Sequence, residues 1–391
     1  MSASSNAPAA VAANPQRHSR ERVLLACIIL LMAFFGLTAF LARMYHAKFQ
    51  SLADEWYMKG ETSFQGAEYT TALTDFRNAL VYSPNNAKFQ FHLARALAAA
   101  GRLDEARSYL LTLLSESPGG GEINLELARI AARQSNMQDA LRYYHGAIYG
   151  EWDTDPIAMR WKVRRELCEF MLDHGAANQA TGDLLQLADN APAQGIESQR
   201  TAAELLLRAQ LWGRALSEFQ SVLAADPHDV QALKGAGIAA YQLGRFSAAI
   251  EFFGRLPRDQ AADPAVEEMN ETSRQVLAAD PYVPGLSAGA RAHRATAALS
   301  LAVSRVQQCA SQRGIPISDS PPKSELQKVF ATGQQMKVNW SERNLERHPD
   351  RLEDVMSLAF QMENLATQVC GPPQNGDYAL LLLARSRAPK P

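Results

Sequence analysis

The sequence is poor in cysteine. Its 391 residues hold four, Cys27, Cys168, Cys309 and Cys370, with no two in a CxxC pair and no histidine at zinc-finger spacing. That excludes a structural zinc finger or ribbon, and no metal site is expected. A charge excess is also missing: 39 Lys+Arg stand against 41 Asp+Glu, a formal net charge of −2. A general nucleic-acid binder carries a basic surplus, so no nucleic-acid partner is expected. GxxxxGK[ST], HExxH and GxGxxG are absent, so neither a nucleotide or other cofactor nor metalloprotease chemistry is indicated. The eight histidines are scattered; His92, His145 and His174 lie in different parts of the chain and read as solvated or capping groups. No enzymatic activity is expected.

Only one long uncharged run is present. It covers 20 residues, Val23 to Ala42, "VLLACIILLMAFFGLTAFLA". At 1.5 Å per helical residue it reaches about 30 Å, enough to cross a bilayer's hydrocarbon core. A cleaved signal peptide is the competing reading, but its apolar part is usually about 7–15 residues and ends in a small-x-small site. Here Phe40 stands two residues before Ala42 and Arg43. Residues 23–43 are therefore expected to stay as a single-pass helix in the lipid bilayer. Arg17, Arg20 and Arg22 precede the run; Arg43 and Lys48, then Asp54 and Glu55, follow it. That small bias puts the N-terminus in the cytoplasm and the bulk across the membrane. Residues 1–22, small and polar at their start, are expected to be a disordered tail.

The rest has a period. An Ala is followed four residues later by a large apolar residue, and twelve later by Pro. Ala72, Phe76 and Pro84 come first, then Ala106, Leu110 and Pro118, then Ala140 and Tyr144. Ala180, Leu184 and Pro192 follow after a longer step, then Ala215, Phe219 and Pro227, then Ala249 and Phe253. A step of about 34 residues, kept over six copies, marks a solenoid of helix pairs. Where it occurs, in four of the six copies, Pro ends the second helix. Gly66, Gly101 and Gly244 are placed at the turns between helices. The longer third step predicts about six extra residues within 149–156, with Trp152 and Trp161 plugging the joint.

These marks resemble the tetratricopeptide repeat family. The first copy carries the resemblance best, through Trp56, Gly60, Tyr69, Ala72, Phe76, Ala79 and Pro84. It implies an all-α solenoid over 53–257 that binds protein partners on a concave face lined by each copy's first helix. Carried over by position, the binding residues are Tyr57 and Phe64, then Lys88, Phe91 and Arg95, then Arg129 and Arg133. Lys162, Arg165, Arg200, Arg208, Lys234 and Tyr241 follow in the later copies. The bases imply a taste for acidic segments, although Glu122, Glu169, Glu197 and Glu204 stand ready to neutralise them. The carboxylate clamp of chaperone-binding members is not matched. The overall style resembles bacterial envelope members of the family, which implies an inner-membrane protein with its bulk in the periplasm.

After the period ends, 258–284 reads as a capping helix and linker, with a turn at 280–287. Residues 285–391 read as a small helical domain. Cys309 and Cys370 each end a predicted helix beside a Pro/Gly-rich loop, a placement that suits a disulfide; two buried free thiols are the alternative. The expected function is a membrane-anchored scaffold or assembly factor. A structural subunit of a large membrane complex, with other subunits as partners, and an enzyme with its site in 285–391 are the rival readings.

Overall fold

The computed structural model describes residues 15–191, 193, 195–317, 321–373 and 378–387, with side chains from residue 24 onward. Among these residues the regular structure is all helical, apart from an isolated bridge between Gly120 and Glu151. The chain divides into two compact units, Met1–Pro156 and Ile157–Pro391.

The first unit holds six helices: α1 (Pro15–Gln65), α2 (Tyr69–Tyr82), α3 (Ala87–Ala99), α4 (Leu103–Glu116), α5 (Gly121–Arg133) and α6 (Met137–Ile148). The uncharged run and the first helix of the first repeat are one unbroken helix of 51 residues. No side chain of its apolar window is buried. Helicity starts at Pro15, a residue suited to a first helical turn. The tail expected over 1–22 is thus helical from residue 15, and its first fourteen residues lie outside the described ones.

The second unit holds α7 (Pro156–Asp173), α8 (Ala177–Asn190), α9 (Ile196–Arg208), α10 (Trp212–Ala225), α11 (Val230–Gln242) and α12 (Phe246–Gly254). After these come α13 (Arg258–Ala261), α14 (Pro264–Ala279), α15 (Ala288–Gln312), α16 (Glu325–Asn339), α17 (Glu342–Arg347), α18 (Leu352–Cys370) and α19 (Tyr378–Arg387).

The landmark alanines explain the helix pairs. Ala72, Ala106, Ala140, Ala180, Ala215 and Ala249 are each 0% exposed. They let neighbouring backbones approach, and Phe76, Leu110, Tyr144, Leu184, Phe219 and Phe253 fill the space beside them, all buried. Glycines accept the rings. A Cβ at Gly60 would lie 2.6 Å from the Phe76 ring, and one at Gly237 would overlap the Phe253 ring. Of the landmark prolines, Pro84, Pro118 and Pro227 follow the ends of α2, α4 and α10 by two residues. Pro192 lies outside the described residues.

The turns repeat as strictly as the cores. The second residue after each first helix has positive φ: Ala67, Gly101, Ser135, Gly175, Gln210 and Gly244. At each, two backbone N–H groups close back onto the helix, as Gly101 N to Ala98 O (3.1 Å) and Arg102 N to Leu97 O (2.9 Å) do after α3. This is the Schellman cap, whose left-handed residue is cheapest as glycine. In the first copy that residue is Ala67, not Gly66 as the sequence suggests. Gln210→Gly should therefore stabilise the second unit, and Ser135→Gly the first, each by about 0.5–1 kcal/mol. Gly101→Ala should cost about 1 kcal/mol. Urea midpoints of the three variants check this, and an unchanged midpoint for Gln210→Gly would contradict it.

The extra residues of the third step fall differently from expectation. The loop 149–155 takes a few, but α7 takes more, with 18 residues against 13 in α3, α5, α9 and α11. Within the first unit, Trp152 is buried against Gly121 and its indole donates to Ala147 O at 2.9 Å. Within the second, Trp161 is buried and donates to Leu187 O at 3.1 Å.

The apolar core of the second unit does not stop at 280–287. Phe246 of α12 and Val276 of α14 belong to the same buried cluster as Ala295, Leu299, Val303, Met356, Met362 and Leu380. Cys309 and Cys370 are joined in a disulfide with Cα atoms 5.8 Å apart, tying the end of α15 to the end of α18. Cys168 is buried among apolar side chains, which pushes its thiol up to about 12. It packs as a small residue and is inert at neutral pH.

Candidate functional site

In the first unit the structure brings five of the expected residues together, Tyr57, Phe64, Lys88, Phe91 and Arg95. Tyr57, Glu61 and Phe64 come from α1; Lys88, Phe91, His92 and Arg95 come from α3. Lys88 Nζ sits 4.6 Å over the Tyr57 ring and Arg95 Cζ 5.1 Å over the Phe64 ring. Phe91 lies against His92 and within 6.0 Å of Arg95. These contacts are cation–π pairs between half-exposed groups, individually weak but fixing the side chains in one patch.

His92 is the centre of that patch, and the sequence reading as a solvated or capping residue is corrected. Its side chain is 15% exposed. Nδ1 lies 2.5 Å from Glu61 Oε1, and Nε2 lies 3.2 Å from the Tyr57 hydroxyl. Burial holds the imidazole below its usual range against the pull of Glu61, with Arg95 and Lys88 adding to the lowering. Burial, with Glu61 beside it, pushes the Tyr57 hydroxyl up to about 12. Both groups are thus neutral hydrogen-bonding groups at pH 7. The spacing Lys88, His92, Arg95 puts all three on one helix face, which is the sequence pattern that could have revealed it.

The remaining bases of the first unit are engaged. Arg129 donates to Glu126 at 2.8 Å, and Arg95 lies 3.7 Å from the same carboxylate. Arg133 donates to Ala98 O at 2.9 Å, so it ties α5 to α3.

In the second unit the expected residues lie on their first helices but are mostly consumed by ion pairs. Arg200 bonds Asp229 and Glu197, both at 2.9 Å. Lys234 bonds Asp263 at 2.6 Å. Asp229 and Asp263 are also the caps of α11 and α14, accepting from Ala232 N and Ala265 N. One carboxylate thus serves both the helix start and the base of the preceding copy. Lys234 and the backbone of Ala265 hold Asp263 below the usual carboxylate range. Arg208 pairs with Asp173 at 2.7 Å, and Arg165 lies 3.8 Å from Glu169. Lys162 is exposed. Tyr241 packs against the Phe246 ring and joins the buried cluster of the C-terminal helices.

Residues 285–289, Gly-Leu-Ser-Ala-Gly, have the spacing of a serine nucleophile motif that the sequence reading overlooked. Ser287 there caps α15, accepting from Ala290 N at 3.2 Å, and the segment before it is a turn following a helix. A nucleophile elbow needs a strand leading into the serine. Among the described residues no group of three or more His, Cys, Asp or Glu is placed to hold a metal ion.

Within each unit, antiparallel helix pairs with small residues at the joints define a repeat protein, a class that serves in contacts with other proteins. Two segments, 57–121 and 206–269, match family models of the tetratricopeptide repeat. Those two segments of the chain carry tetratricopeptide repeats. Among solved structures it is similar to YrrB, a TPR protein with an unusual peptide-binding site, at 15% identity and TM-score 0.39, covering 50% of this chain and 97% of that one. It is similar to PilF of Pseudomonas aeruginosa at 15% identity and TM-score 0.41, covering 57% and 99%. It is also similar to PilW, a type IV pilus biogenesis factor, at 17% identity and TM-score 0.39, covering 55% and 97%. No curated protein matches the sequence.

Proposed function

We propose that this protein is an adaptor held in a bacterial inner membrane by residues 23–43, with its repeats in the periplasm, where it captures acidic protein segments for assembly beside the bilayer. The observation that carries the binding role is the patch of Tyr57, Phe64, Lys88, Phe91, His92 and Arg95 on α1 and α3. Aromatic planes beside fixed cations suit a segment that alternates carboxylates with apolar side chains. The membrane reading is supported by the 20-residue uncharged run, none of whose described side chains is buried by the protein. The Cys309–Cys370 pair fits an oxidising compartment, and Arg17, Arg20 and Arg22 before the run fit a cytoplasmic N-terminus.

The test is capture in cells. A photo-crosslinking residue at Phe91 is expected to trap a protein partner, and the Lys88→Glu, Arg95→Glu pair to reduce the trapped amount about tenfold, equal to about 1.4 kcal/mol. The thermal midpoint should move by no more than the small loss of the Arg95 contacts with Glu126 and Phe64, since Lys88 is exposed and Arg95 partly so. Undiminished capture by the double reversal would remove binding from this face. Partners that co-purify in fixed stoichiometry in mild detergent would instead favour a complex subunit.

A further inference from the structure

Resting on the membrane reading above, we propose that the corner between α2 and α3 is a second contact with the bilayer, seated among the lipid headgroups beside the span. The argument starts from the single helix α1. The uncharged run ends at Ala42, and α1 continues without a break into the first repeat. Phe49 is the first residue after the run that is not fully exposed. It stands seven positions on from Ala42, a rise of about 10 Å. Helical side chains lean toward the helix N-terminus, so the rings of Phe49 and Tyr45 reach back toward the run.

The second helix is held at that height. α1 and α2 are antiparallel, as shown by contacts of Phe64 with Tyr69, Ser63 with Asp75, and Phe49 with Tyr82. Phe49 packs on Tyr45 at 4.4 Å and on Tyr82 at 5.6 Å between ring centroids. The C-terminal end of α2 and the turn 83–86 therefore face the bilayer, about 10 Å from its hydrocarbon boundary by the count above. A headgroup layer is about 5–7 Å deep on each side, and a tilt of about 20°, the average for a span, brings the corner to it when it is toward α2.

The chemistry suits that place. Val81 is 71% exposed and Tyr45 60%, an aliphatic and an aromatic group that the protein leaves mostly uncovered. Tyrosine is the residue type that favours the headgroup level. Carboxylates are missing around them: α1 has no Asp or Glu from Val23 to Ala53, and the chain has none from Phe76 to Leu103. Arg43 and Lys48 stand in the first of those stretches. A basic, apolar, acid-free corner matches a surface of anionic lipid.

The test uses the full chain in vesicles of phosphatidylcholine and phosphatidylglycerol carrying headgroup-level and mid-chain nitroxide lipids. An environment-sensitive fluorophore is placed at Val81→Cys, at Phe35→Cys within the run, or at Gln138→Cys on α6, each with Cys27→Ser. Cys168, buried and with its thiol pushed up to about 12, does not compete for label. Headgroup-level quenching at residue 81 should be at least threefold that at residue 138, with mid-chain quenching at residue 35. Quenching at 35 with none at 81 beyond that at 138 overturns this inference alone. Absence of quenching at 35 overturns the membrane reading on which it rests.

Discussion

Phe253→Ala is expected to destabilise the second unit by about 3–5 kcal/mol. The ring is 1% exposed and lies against Gly237 of the paired helix, where a Cβ would overlap it. Truncation leaves a void that neighbours with 0% exposure, such as Ala236 and Ala249, are too small to fill. Gly237→Leu attacks the same contact from the other side and should cost about 1–3 kcal/mol by overpacking. The double substitution returns volume to the void, so its cost should fall at least 1 kcal/mol short of the sum of the two. Urea titration of the four proteins in this cycle reads the coupling. Strict additivity would mean that the ring and the glycine do not share the packing described. As a contrast, Phe91→Ala on the half-exposed face should cost far less than any core ring.

The second large effect is expected from the disulfide. Removing it by Cys309→Ala with Cys370→Ala should cost about 4 kcal/mol in the chain-entropy account, because the bond closes a loop across 61 positions of sequence. The loss should appear in the helices that the bond ties, α15 and α18, and hardly at all in the first unit. Thiol counting supplies the companion measurement. Protein freshly isolated from cells, denatured without reductant, should label at two cysteines, Cys27 and Cys168. Four labelled cysteines would show that the bond does not form in its native compartment and would remove its support for a periplasmic location.

Much of the fold was legible because a repeat reports the same physics six times. A buried alanine with a large apolar neighbour four residues on is weak evidence once and strong at a fixed period. Every landmark alanine proved fully buried for that reason. What stayed hidden has no period or crosses between elements. Glu169 and Glu197, named from the sequence as neutralising groups, do lie beside Arg165 and Arg200, but other carboxylates that engage the bases come from elsewhere in space. Asp229 and Asp263 belong to the caps of following helices, so local spacing does not reveal them as partners of Arg200 and Lys234. Arg133 was read as a binding group, yet it holds the Ala98 carbonyl, so reversing its charge would disturb packing as well as any partner. His92 was read as solvated or capping because a lone histidine carries no other signal until Glu61 and Tyr57 are brought beside it. The extra residues of the third step were assigned to a turn-rich string, whereas helix α7 had the apolar positions to absorb them. In the C-terminal region, the turn at 280–287 looked like a gap between bodies, and only the packing shows one core running across it.

That shared core has a consequence for assembly. A stack of like units carries no instruction for where to stop, and its last pair offers an apolar flank shaped to receive another pair. Left open, such a flank invites the free end of another molecule, and head-to-tail addition of this kind grows fibres rather than closed particles. Here α14 lies against α12, and the helices after it bury Phe246 and Val276 in their own interior. The flank of the last pair is thereby covered, which removes the apolar surface that such addition needs. Cutting away α15 to α19 should therefore uncover an apolar flank around Phe246 and Val276.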